Sequence, residues 1–423
     1  MKKLFKQIGW LCTLSVLLLA GCQQEELLSI SSNSDIAKVS TRAASTYDYL
    51  GNANGIFVLS EGNMMNENGT LSFIDGSATG YPAQNWVYRT INTMPTGHKE
   101  LGNVAQDLFI SDNKMYILSQ NGKRLTSLPG AQHILKTRNT LKHENDFNPG
   151  FPTAWSNTTP THLAVKGDKI FVRTNSGVVV TDTAGTSGTP TPISGISKPS
   201  RIRMAMVKNS NVKYLYVGSE NNKVYRINTN TNAVDSITVQ GKVAGVTAVR
   251  RNNSVQYVWA LCIKPDGTAA LQKISGTTVQ ATHNISISQP FAPSLLIPSV
   301  GLCCYAGGTN DVLYFRSNGW DPTKIYKVDT GAASPAAAEF YTVPTGIDSN
   351  ARIVYGDLGV NPANGNVYFG YVGNWTSYIS VNGVVQLNNT GGVAKEYRAS
   401  YSAPDKIDSR FTAGIYFRQE FDM

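Results

Sequence analysis

The sequence predicts an all-β fold, and within it a seven-bladed β-propeller. Each blade is expected to hold four antiparallel strands, with the ring closed by a C-terminal strand. Three observations carry the expectation. A strand of β-branched and aromatic residues, Gly55-Ile56-Phe57-Val58-Leu59-Ser60, has later echoes centred on Tyr116, Phe171, Tyr216, Trp259, Tyr314, Tyr368 and Tyr416. From Phe57 onward these aromatics are spaced by 59, 55, 45, 43, 55, 54 and 48 residues, a period that suits one multi-stranded blade. Turn-forming segments such as Ser111-Asp112-Asn113, Gly167-Asp168 and Asn361-Pro362-Ala363-Asn364-Gly365 stand just before aromatic strands.

The elements follow in order. Residues 51–54 read Gly-Asn-Ala-Asn, so the first unit lacks an innermost strand and opens on the aromatic strand itself. The second unit supplies strands at 104–110, 114–119, 124–128 and 133–138, innermost first, and the third at 161–166, 169–173 and 178–181. The fourth has 202–207, 213–218, 223–228 and 233–239; the fifth has 246–250, 256–261, 269–274 and 279–285. The sixth and seventh are looser and are placed by their second strands, 312–316 and 366–371. One strand, 413–418, is left over, and it is expected to complete the first blade and leave no free radial edge. A closed ring accounts for residues 51–423 as one monomeric domain.

Bulk properties exclude other classes. With 41% hydrophobic and 15% charged residues the chain can bury a large core, unlike a disordered one. The formal charge is +9, and Lys2, Lys3 and Lys6 lie in an expected leader, leaving +6 on the remainder. No run of five basic residues occurs, so nucleic acid is not expected as a partner.

Residues 1–21 read as an export signal: a basic start, then an apolar run from Leu11 to Ala20 too short to span a bilayer. The run ends Leu19-Ala20-Gly21-Cys22, which matches the bacterial lipoprotein signal and marks Cys22 for lipidation. Residues 22–50 are then a polar, aperiodic tether. Cys262, Cys303 and Cys304 are expected as buried thiols, with a bridge from Cys262 to Cys303 or Cys304 as the alternative.

In a propeller the loops after the second strand and before the innermost strand share one face. Here these loops are long and aromatic, and binding surfaces are built of such loops. They present Met64, Met65, His98, Trp155, Trp320, Tyr371 and Trp375 as candidate ligand contacts. Arg173 and Arg316, each two residues beyond a blade aromatic, are expected near the channel mouth, where an anionic group would be held. Catalytic signals are weak. The five histidines show no metal spacing, no nucleophile elbow or phosphate loop is present, and Glu61, Asp107 and Asp357 are the carboxylates that would meet near the channel. No enzyme activity, cofactor or metal is expected.

Leu19-Ala20-Gly21-Cys22, the following Gln23-Gln24-Glu25-Glu26, the strand-turn Gly55 to Asn63 with Gly69 to Asp75, and the terminal Gly414-Ile415-Tyr416-Phe417 together carry a resemblance. The chain resembles the YncE-like surface-lipoprotein propellers of Bacteroidota, a family that includes a cobalamin-capturing lipoprotein capping a TonB-dependent transporter. The resemblance implies lipid anchoring at the outer membrane with cell-surface display. It further implies capture of a small-molecule nutrient, a corrinoid in the first instance, for a TonB-dependent outer-membrane transporter. It supplies no ligand residues. Two alternatives stay open: a protein- or glycan-binding module of a surface assembly, and a lyase or hydrolase with its site at the channel mouth.

Overall fold

The computed structural model describes residues 50–62, 69–76, 103–112, 114–121, 124–128, 160–183, 190–251, 254–287, 291, 299–317, 319, 321–398 and 409–421. The tether, Cys22 and the expected strand 133–138 lie outside them. Among the described residues no helix is long and apolar enough to cross a membrane.

The chain is all-β and forms a series of small, mainly antiparallel sheets. One holds β3 (Asn103–Ser111), β4 (Lys114–Asn121) and β5 (Arg124–Leu128). The next holds β6 (Pro160–Lys166), β7 (Lys169–Thr174), β8 (Val178–Asp182) and β9 (Thr191–Pro192). A third comprises β10 (Ala205–Asn209), β11 (Val212–Gly218), β12 (Lys223–Asn228) and β13 (Val234–Thr238). A fourth comprises β14 (Lys242–Arg251), β15 (Ser254–Ile263), β16 (Ala269–Ser275) and β17 (Thr278–Ile285). A fifth comprises β18 (Cys303–Tyr305), β19 (Val312–Arg316), β20 (Lys324–Asp329) and β21 (Ala338–Thr342).

The remaining sheet joins the two ends of the domain. It contains β1 (Gly55–Ser60), β2 (Thr70–Asp75), β22 (Ile353–Val360), β23 (Val367–Val372), β24 (Asn382–Leu387), β25 (Val393–Arg398) and β26 (Thr412–Phe417). Its order is β2-β1-β26-β22-β23-β24-β25. Strand β26 runs antiparallel to β1, with Phe57 opposite Tyr416, and touches β22 in parallel at Asp357 and Gly414. That close approach requires Gly356. Its φ is 72°, and a Cβ there would fall 1.7 Å from the Thr412 carbonyl oxygen.

Burial explains why the aromatic strands dominated the sequence pattern. Every residue of β1 and of β23 is buried, so both faces of these strands are covered. A strand covered on both faces reads as a continuous apolar run rather than an alternation. The outer strand β17, by contrast, alternates between exposed and half-buried positions over most of its length. Neighbouring sheets share cores: Tyr216 and Val224 pack with Val243, Val246, Val258 and Ala260. Phe57 and Phe73 meet edge to face at 5.2 Å in another core that includes Leu108 and Ile117.

Cys262, Cys303 and Cys304 are all free thiols, Cys262 and Cys303 buried and Cys304 half-buried, so the alternative of a Cys262 bridge falls away. One expectation needs correcting. The innermost strand expected from residue 202 begins at Ala205 instead. The Ser200 amide donates to the Gly218 carbonyl and the Ile202 amide to the Ser200 carbonyl, which bends this segment out of the ladder. The bend matters because it carries Arg201 and Arg203 to the strand ends that form the site.

Candidate functional site

A cavity of about 70 Å³ opens where several innermost strands begin. Its wall is built from Glu61 at the end of β1, Gln106 on β3, His162 on β6 and Arg201 on the bend before β10. Ser299, Arg316 at the end of β19, the run Ile353 to Asp357 on β22, and Trp375 in the loop after β23 complete most of the remainder. Of the loops singled out from the sequence, those after β1, β19 and β23 contribute Glu61, Gly319 and Trp375.

Charges crowd this region. Asp107, one residue beyond Gln106, is buried; its carboxylate accepts from the Leu108 amide, the Leu163 amide and the Tyr416 hydroxyl, each at 2.9 Å. Arg203 stacks on the Tyr416 ring at 3.7 Å from its centroid, 3.8 Å from Asp107 and 3.6 Å from Asp357. The Ser299 hydroxyl donates to Asp357 at 2.5 Å. One cation therefore ties β3, β22 and β26 together.

Burial sets the protonation behaviour. It raises the Glu61 carboxyl to about 7 against the opposing pull of Arg201, Gln106 and Tyr355, with Asp357 adding to the rise. It raises Asp107 to about 7 as well, although Arg203 and the three hydrogen bonds favour the ionised form. His162 is pushed well below its ordinary value by burial and then by Arg173, Arg201 and Arg203, so it stands neutral. Arg173 is lowered to about 9 by burial and by Arg201.

The candidates chosen from the sequence fall into four groups. Arg316 and Trp375 line the cavity. Arg316 is buried, and its Nε donates to the Gly356 carbonyl at 2.9 Å. Trp375 is 42% exposed, stacks on Phe411 at 5.6 Å, and donates from Nε1 to Asp321 at 3.3 Å. Arg173 stands one layer behind, donating to the Thr161 hydroxyl at 3.0 Å and to the Pro199 carbonyl. Tyr371 is turned away: its ring is buried in the blade core and its hydroxyl donates to Glu396 at 2.7 Å. Met64, Met65, His98, Trp155 and Trp320 lie outside the described residues.

Glu61 and Asp357 line the same cavity, and Tyr355 donates to Glu61 at 3.3 Å. Sequence reasoning missed Gln106, His162, Arg201, Ser299 and Tyr355. A polar residue breaking an otherwise apolar innermost strand, as Gln106-Asp107 does in β3, was the available signal. Arg201 gave none, because its placement depends on the bend. Among the described residues no group of three His, Cys, Asp or Glu is placed to hold a metal ion.

Comparison with known proteins finds similar solved structures and one family. A 6-phosphogluconolactonase proposed from Bacteroides fragilis is 12% identical, with 86% of this chain and 98% of that one covered, at a TM-score of 0.50. A quinoprotein alcohol dehydrogenase-like protein from Bacteroides thetaiotaomicron is 15% identical, covering 88% of this chain and 79% of that one, at 0.49. The WD40 domain of Neurospora crassa Pan2 is 12% identical over 72% of this chain and 79% of that one, at 0.38. At 12% identity the likeness to the Bacteroides fragilis protein concerns the fold alone. No curated protein matches the chain. The model of one family, the Domain of unknown function DUF5074, matches residues 54–404, and the chain belongs to that family.

Proposed function

We propose that this chain is a non-enzymatic binding protein. It holds a small-molecule nutrient on the face around the axial cavity and passes it to a TonB-dependent transporter. The observation that carries the reading is the placement of Arg316, Arg201 and the exposed Trp375 around one cavity, on the face with the long loops. A charged inner end with a flat apolar rim is a site for orienting a ligand, and its carboxylates are largely occupied in holding the strands together. The export signal and Cys22 support a lipid-anchored protein at the cell surface.

The ring reading belongs to the same proposal. Sheets β3–β5, β6–β9, β10–β13, β14–β17 and β18–β21 make five blades. The strand sets β22–β25 and β2-β1-β26 make two more, with β26 as the inner strand that closes the seven-bladed ring.

A corrinoid is the ligand to test first, since the family resemblance implies it. The ring of a corrinoid is far larger than the cavity and would lie across the surrounding loops. Calorimetric titration of the chain with cobalamin should give saturable binding at micromolar concentrations. Absence of heat there would remove the corrinoid version. One observation favours the lyase or hydrolase reading as second choice: Glu61, raised to about 7, stands beside Tyr355 and Asp357 at the cavity wall, a pKa suited to general-base work. Turnover abolished by Glu61→Gln would promote it.

A further inference from the structure

The cavity wall holds one hydrogen-bond donor that the fold itself does not use, the amide nitrogen of Gln106. Gln106 is buried; its Oε1 accepts from Arg201, which fixes the amide, and its Nε2 makes no hydrogen bond. Gln106 nevertheless stands near enough to Glu61 to lower that carboxyl, so the amide belongs to the Glu61 side of the wall. Arg201 and Arg316 line the same space.

The electrostatic balance at this end is positive. Arg173, Arg201 and Arg203 all act on His162 and disfavour its protonation, and Arg201 also acts against Arg173. Three carboxylates face these cations. Glu61 shares the cavity wall and draws on Arg201, but burial raises it to about 7, so it is only partly ionised at neutral pH. Asp357 is engaged by Arg203 at 3.6 Å and by the Ser299 hydroxyl at 2.5 Å. Asp107 is covered by two backbone amides and the Tyr416 hydroxyl. A cavity of about 70 Å³ has room for roughly a few waters, or for one carboxylate or phosphate group. At its mouth Trp375 offers a flat face backed by Phe411.

We propose that the axial cavity is an oxoanion site, which takes the carboxylate or phosphate group of a sugar acid while the sugar ring rests on Trp375. Gln106 Nε2 donates one neutral hydrogen bond, and the guanidinium groups of Arg201 and Arg316 supply the charge. The apolar face of a pyranose against an indole supplies orientation. The proposal rests on the reading of this face as a binding surface, and it names the chemical class that the inner end accepts.

Calorimetric titration of the full chain with glucuronate, glucose 6-phosphate and glucose tests it. At least one of the two acids should bind about tenfold or more tightly than glucose, the effect of a charge-assisted contact. Binding of glucuronate alone identifies a carboxylated sugar as the class, and binding of glucose 6-phosphate alone a phosphorylated one. Gln106→Leu removes the donor without changing charge and should weaken the acid about fivefold to tenfold. Trp375→Ala removes a half-exposed loop ring, with its contacts to Phe411 and Asp321, and should weaken the acid severalfold even if Gln106→Leu fails to fold. Equal affinity for glucose and both acids, or an affinity that neither substitution changes, would overturn the site. If neither acid binds while cobalamin does, the oxoanion site is wrong and nutrient capture stands.

Discussion

At the scale of single residues, Glu61 and Asp107 make the protein sensitive to pH. Their carboxyls rise from 4.5 and 3.8 to about 7, chiefly through burial. A group whose folded pKa lies above its unfolded value stabilises the fold fully below the unfolded value. That contribution is lost as pH rises through the folded value. The thermal midpoint should therefore fall between about pH 4 and about pH 7 from these two groups. Glu61→Gln should show a smaller fall than the parent in melts across that window; an identical fall would contradict the assignment. Asp107 has the wider structural role because three donors from β3, β6 and β26 converge on it. Asp107→Ala leaves Arg203 and two buried amides without this acceptor and should cost about 3–5 kcal/mol in denaturant unfolding.

At the scale of elements, the junction of β1, β26 and β22 joins the two ends of the chain. Gly356→Ala would force a side chain onto the Thr412 carbonyl at a position whose φ is 72°, and should cost about 3 kcal/mol. Unfolding in denaturant checks this, and an unchanged midpoint would mean that β26 does not depend on β22. The strands of this junction were legible in the sequence. Phe57, Tyr368 and Tyr416 lie in runs buried on both faces, and double-sided burial selects apolar and aromatic residues at every position. The site was less legible. Arg316 and Trp375 were found because they follow a strand at a fixed interval or sit in a long loop. Arg201 and Gln106 were not, because a bend and a single amide orientation place them, and neither leaves a periodic trace. Tyr371 lies at the end of a strand, and its side chain turned to the core and Glu396 rather than to the loops.

At the scale of the whole molecule, the domain is held by shared apolar cores between sheets and by the end-joining strand, without covalent staples among the described residues. Cys262 and Cys303 are buried and their thiols are raised by burial, Cys262 to about 12, so both should resist thiol reagents until the protein unfolds. A reductant should leave the melting midpoint unchanged; a drop would point to a disulfide that the structure does not contain. The anchoring proposal makes its own demand on cells: Cys22→Ala should release the protein from the membrane fraction. On the proposed function, the face around the cavity binds a nutrient, with Trp375 as part of the contact surface. The direct measurement is calorimetric titration of cobalamin into the parent chain and into Trp375→Ala. Saturable micromolar binding that the substitution weakens is expected; no binding, or binding that the substitution leaves untouched, would contradict nutrient capture on this face.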